Sequence, residues 1–127
     1  MEIKDGKNYL PAVKSLITEY LQRLGRDLSF QNVDEELRDP AKKYTSPEGE
    51  LLVAVENGEV LGMVAYHRHT QTRCEMKRLY VCPKARGLHL GEQLVEEILR
   101  HAKAAGYKEI VLWLIWCFLT FWCLEKH

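Results

Sequence analysis

The sequence predicts a single α+β domain built on a mixed sheet, and three observations carry that reading. The stretch "PAVKSLITEYLQRLG" places Val13, Leu16, Ile17, Tyr20, Leu21 and Leu24 at helical spacing. Two apolar runs, "LLVAVE" and "EVLGMVAYHRH", meet at Asn57-Gly58, a strong short hairpin signal. "CEMKRLYVC" and "KEIVL" flank one long amphipathic helix, so these two strands are expected to be parallel neighbours joined by a crossover.

The elements follow in the order ααβββαβ. Helix one opens at Pro11, at home in a first turn, and stops at Gly25. "FQNVDEELRDPAKKY" predicts a short second helix ended by Pro40, and "TSPEGE" a loop. The hairpin comes next, then a polar turn around Thr70 to Thr72 and the third strand, stopped by Pro83. In that strand Met76 is one residue out of phase with Leu79 and Val81. A β-bulge near Lys77 or Arg78 would bring all three to one face; the other reading sends Met76 to a second apolar layer. In the long helix Leu90, Leu94, Val95, Ile98 and Ala102 form the apolar stripe. Acids precede bases along it, and Gly106 stands where a left-handed cap needs no Cβ.

Composition narrows the function. The 127 residues carry 18 acids and 18 bases, with no basic stripe for nucleic acid. "MEIKDGKNYL" has no apolar signal region. Cys74, Cys82, Cys117 and Cys123 show no zinc spacing, which predicts reduced thiols in a cytoplasmic protein and no metal. Cys74 and Cys82 have nothing beside them in sequence to activate a thiolate nucleophile.

The loop before the long helix is the candidate site. A helix start presents unpaired N–H groups and partial positive charge to an anion. Gly87 and Gly91 would let backbone approach a phosphate closely, and Arg86 supplies a forked donor. Neither a Walker loop nor a GxGxxG fingerprint is present. The plainer reading is that the glycines make a tight strand-to-helix turn.

The segment from Cys74 to Leu112 closely resembles the acetyl-CoA-binding core of the GNAT superfamily of N-acetyltransferases. The family's phosphate loop reads Gln/Arg-x-x-Gly-x-Gly/Ala after a bulged strand and before a long helix. Here it falls on "RGLHLG", with His89 where the family usually has glycine. The resemblance covers roughly residues 1 to 112 and implies a GNAT-like fold, a mixed central sheet with helices on both faces. It implies acetyl-CoA as acyl donor, its pyrophosphate held by Arg86, Gly87, Leu88, His89, Leu90, Gly91 and Glu92. The pantetheine arm would run along the backbone of Leu79, Tyr80 and Val81, where N–H groups near Leu79 would face the developing oxyanion. Glu75 resembles the family's strand-four general base; the alternative is a solvated acid paired with Lys77 or Arg73. His67 and His69 would line the acceptor side. A positive φ at His89 would cost about 1 kcal/mol, and a negative one would set the imidazole at the rim of the phosphates. The acceptor is expected to be a small-molecule or peptide amine.

After Leu112 the resemblance ends: the family's Asn, Ala and acid tyrosine are absent from "WLIWCFLTFWCLEKH". This divides the chain into a domain over residues 1–112 and an atypical segment over 113–127, the family's C-terminal part being truncated or replaced. All three tryptophans lie in that segment, and from Ile110 to Leu124 only Thr120 is polar. Fifteen residues fall short of a membrane span, so a tail anchor is disfavoured. A buried strand extension, an apolar clasp and a lost reading frame stand as readings of the tail. Self-association through residues 113–124 is expected.

Overall fold

A computed structural model describes residues 2–23, 38, 44, 48–85, 87, 89–113 and 119–123, without the side chains of residues 21, 113 and 119–123. Strands β1 (Glu2–Asp5), β2 (Gly49–Glu56), β3 (Glu59–Arg68), β4 (Arg73–Val81), β5 (Glu109–Trp113) and β6 (Leu119–Cys123) form one six-stranded sheet in chain order. All neighbours are antiparallel except β4 and β5, which run parallel as the crossover helix requires.

Helix α1 (Leu10–Arg23) covers one face, where Val13, Leu16 and Ile17 pack on Leu51, Val53 and Met63. Tyr44 joins the same core. Helix α2 (Leu90–Ala104) covers the other face with Leu94, Ile98 and Ala102 against Leu52, Val64 and Ile110. The expected second helix and Arg86 and Leu88 of the loop lie outside the described residues.

Local signals act as expected. Asn57 and Gly58 take φ of 52° and 80°, the left-handed pair of a two-residue hairpin turn. Gly106 takes φ 98°; its N–H donates to Lys103 and that of Tyr107 to Ala102, which closes α2 with a Schellman cap. Thr70 Oγ1 accepts from the N–H groups of Thr72 and Arg73, forming the turn between β3 and β4.

One strand was not foreseen, and a second was only one of several readings of the tail. "EIKD" is too short and too polar to signal a strand, and only pairing with β2 makes β1 one. The apolar tail has no alternation, yet its backbone pairs with β5, Trp113 opposite Leu119 and Glu109 opposite Cys123. Strand β5 runs through Trp113, and residues 119–123 are strand.

Candidate functional site

Strand β4 breaks step midway. Met63 pairs with Tyr80 and Ala65 with Lys77, so two steps along β3 match three along β4. Arg78 sits in the extra step at φ 58°. The bulge resolves the phase problem: Met76, Leu79 and Val81 all pack on the α2 side, while Tyr80 turns to the α1 side. Among the described residues the β4–β5 register runs from Arg73 opposite Glu109 to Met76 opposite Leu112, and the backbone of Leu79 to Val81 lies beyond it.

The start of α2 lies near the end of β4. Leu90 is buried against Leu61 and Ala85, which pins the helix end. His89 is the N-cap residue in the left-handed region, φ 59° and ψ 24°, and its side chain caps nothing. Gly87 also needs its freedom, with φ 88°. Gly91 is helical; a Cβ there would have one neighbour within 4 Å, Val81 Cγ2 at 3.9 Å. An uncapped helix start beside open space suits an anion.

The positive φ at His89 decides between the two expectations for it: the strained backbone is present, and histidine is among the residues that tolerate it. Its imidazole is 76% exposed, with Nδ1 3.8 Å from Glu92 Oε2. His89→Gly should therefore leave CoA affinity, read by calorimetry, equal or tighter, the strain of about 1 kcal/mol offset by glycine's backbone entropy. A large loss of affinity would mean that the imidazole itself holds the ligand.

Glu75 lies on the α1 side of β4, opposite His67 on β3 and Val111 on β5. Lys77 Nζ is 3.5 Å from one carboxylate oxygen and His69 Nε2 4.0 Å from the other. Arg73 instead holds Glu109 at 3.1 Å. The carboxylate is 21% exposed, reachable by water but held on both sides. Cys74 is fully buried and its thiol pushed up to about 12 by burial, so it stays protonated; burial raises Cys82 too. Among the described residues no cluster of His, Cys, Asp and Glu could hold a metal ion, and no helix is long and apolar enough to cross a membrane.

Sequence reasoning missed Arg78, Tyr20 and the side chain of Tyr80 as a group. The Arg78 guanidinium lies over the Tyr20 ring, 5.7 Å from its centroid, and Tyr20 meets Tyr80 edge-on at 6.0 Å. The phase slip at Met76 was their one available signal. An open groove between Glu50, Glu97 and His101 lies toward the other end of α2 and shares none of these residues.

The acetyltransferase (GNAT) family model matches residues 13–119. An uncharacterised N-acetyltransferase of Schizosaccharomyces pombe is 52% identical over 78% of this chain, and an IAA acetyltransferase of Azospirillum brasilense 39% identical over 80%. The chain spans 62% and 65% of the lengths of these two relatives. A GNAT family acetyltransferase of Brucella melitensis, solved in complex with acetyl-CoA, superposes with a TM-score of 0.75 at 20% identity, over 96% of this chain and 86% of that one.

Proposed function

The chain belongs to the GNAT acetyltransferase family, and from that premise we propose that it transfers an acetyl group from acetyl-CoA directly to a primary amine. The observation that carries this is the bulge at Arg78, with the backbone of Leu79 to Val81 beyond the described β4–β5 register and the uncapped start of α2 near the end of β4. A strand-like pantetheine arm bonds to the backbone of Leu79, Tyr80 and Val81, in the place a neighbouring strand would take. The pyrophosphate lies at the N–H groups of residues 87–92, with Arg86 beside it and the missing Cβ of Gly91 leaving it room.

Glu75 takes the proton of the attacking amine, directly or through one water, with Lys77 Nζ 3.5 Å from its carboxylate. As the amine nitrogen bonds to the carbonyl carbon, N–H groups near Leu79 stabilise the oxygen's charge. The C–S bond then breaks and the CoA thiolate leaves with a proton taken from water, while the proton that Glu75 received returns to solvent. His67 and His69 border the acceptor side. The acceptor is a small molecule or a peptide amine; nucleic acid, metal and membrane have no part in the reading. In this reading the thiols are reduced and the chain is cytoplasmic.

A second reading is favoured by the atypical segment after residue 112: an acyl-CoA-binding module whose acceptor half is impaired. Calorimetry with CoA and acetyl-CoA, followed by acetylation of a broad amine panel, separates the two. Binding with no acetylated amine overturns the enzyme; no binding overturns both.

In this proposal residues 1–112 supply the donor site and 113–127 an apolar segment that self-associates. In the described sheet β6 is the outermost strand, and its sequence lacks the charges that blunt an edge. Sedimentation should show the full chain as a dimer or larger and a chain ending at Leu112 as a monomer. A monomeric full chain that unfolds on truncation would make the segment core instead.

A further inference from the structure

A base that takes a proton on every turnover must lose it before the next, and the surroundings of Glu75 determine where it goes. The carboxylate is 21% exposed, and each of its oxygens has its own neighbour: Lys77 Nζ at 3.5 Å from one and His69 Nε2 at 4.0 Å from the other. An ammonium has three donors and no acceptor, so Lys77 can take no proton from the acid. Imidazole both accepts and releases protons near neutral pH. The His69 side chain is 40% exposed, so it faces Glu75 with Nε2 and has open access to water.

The turn between β3 and β4 holds His69 in that place. It is the first residue past β3, and its N–H donates to the Arg73 carbonyl at 2.9 Å, as does that of Thr70. Thr70 Oγ1 in turn accepts from the Arg73 N–H at 3.0 Å. Around the Glu75 carboxylate stand His69 and Lys77, with His67 opposite Glu75 in the β3–β4 register. The Arg73 guanidinium reaches the other way, to Glu109 on β5 at 3.1 Å.

We propose that His69 carries the proton away from Glu75 to solvent during acetyl transfer. The inference rests on the reading of Glu75 as general base and adds the path by which that base is restored. The amine's proton passes to the Glu75 carboxylate. The carboxyl O–H bond then breaks as an Nε2–H bond forms on His69, after a small side-chain rotation or through one water. Glu75 is left a carboxylate and His69 an imidazolium. The imidazolium gives one proton to water or to a buffer base and returns to neutral imidazole. Over the cycle solvent receives the amine's proton and supplies one to the departing thiolate, so the count closes. His69 acts through Glu75 and not on the reacting atoms.

The test uses the full chain, acetyl-CoA and whichever amine turns over fastest in a panel headed by n-hexylamine, benzylamine and a lysine-bearing peptide. Turnover is read at neutral pH and fixed ionic strength, at low and at high imidazole concentration. His69→Gln is expected to lower kcat by about tenfold at low imidazole, with KM for the amine and CoA affinity within about twofold of the wild type. Added imidazole should restore most of the lost rate, because a free base replaces the missing one, whereas the wild type should not respond. Lys77→Met removes the other neighbour of Glu75 without breaking the path, so its rate should not respond to imidazole either. Thermal unfolding of both variants is followed in parallel. An unchanged kcat in His69→Gln overturns the inference, and so does a wild type whose kcat rises with imidazole. A loss that imidazole leaves in place overturns it too, making His69 a prop for the carboxylate, as does a loss confined to KM, which puts it on the acceptor. Each of these outcomes leaves the acetyltransferase standing. Full activity in Glu75→Gln removes the base and this inference together, and CoA binding without turnover of any amine removes the enzyme as well.

Discussion

Glu75→Gln should lower turnover by about 100- to 10,000-fold, the usual range for a lost general base, while CoA affinity stays nearly intact. The amide has the shape of the carboxylate but cannot take up the amine's proton. Stability should hardly change, because the pairs lost with Lys77 and His69 are partly solvated and such pairs contribute roughly 0–1 kcal/mol. Rate and affinity measured on one preparation separate the two readings of this residue. Equal activity in the variant would leave Glu75 a solvated strand acid, and a matching loss of CoA binding would move it from the acceptor side to the donor side.

Gly91→Val should weaken CoA binding by about tenfold or more without weakening the fold. A Cβ at this position meets Val81 Cγ2 at 3.9 Å, ordinary van der Waals contact, and Gly91 is helical rather than left-handed. Valine is also a slightly better helix residue than glycine, by a few tenths of a kcal/mol. Its two methyl groups instead fill the space between the α2 start and the end of β4, where the phosphates are placed. Calorimetry with CoA beside thermal unfolding checks both halves. An unchanged affinity would put the phosphates elsewhere, and a loss of fold would show that Gly91 serves packing.

Much of the site could be read along the chain because its signals are local. The phase slip between Met76 and Leu79 announced the bulge, and the glycine loop before the Leu90–Ala102 stripe announced the helix start. Glu75, at the head of that strand, was named through its resemblance to the family's strand-four glutamate. What escaped was the company these residues keep. Nothing near Arg78 in sequence says that it will lie over Tyr20, because the two are brought together by a helix packed across the sheet. Likewise the choice of Lys77 and His69 over Arg73 beside Glu75 depends on β5, whose Glu109 claims Arg73.

The sequence by itself determined both described helices, the hairpin and the parallel pairing of β4 and β5, and it offered the bulge as one of two readings of Met76. Each follows from periodicity, turn chemistry or chain connectivity within a few tens of residues. Tertiary structure alone decided that "EIKD" and the tail segment Leu119–Cys123 are strands, since neither has a pattern of its own and each is held by a neighbour's backbone. It also decided the left-handed backbone at His89 and the turning of Arg78 and Tyr80 to the α1 side. Backbone pairing and side-chain facing are properties of the assembled sheet, and a residue's neighbours in sequence do not contain them.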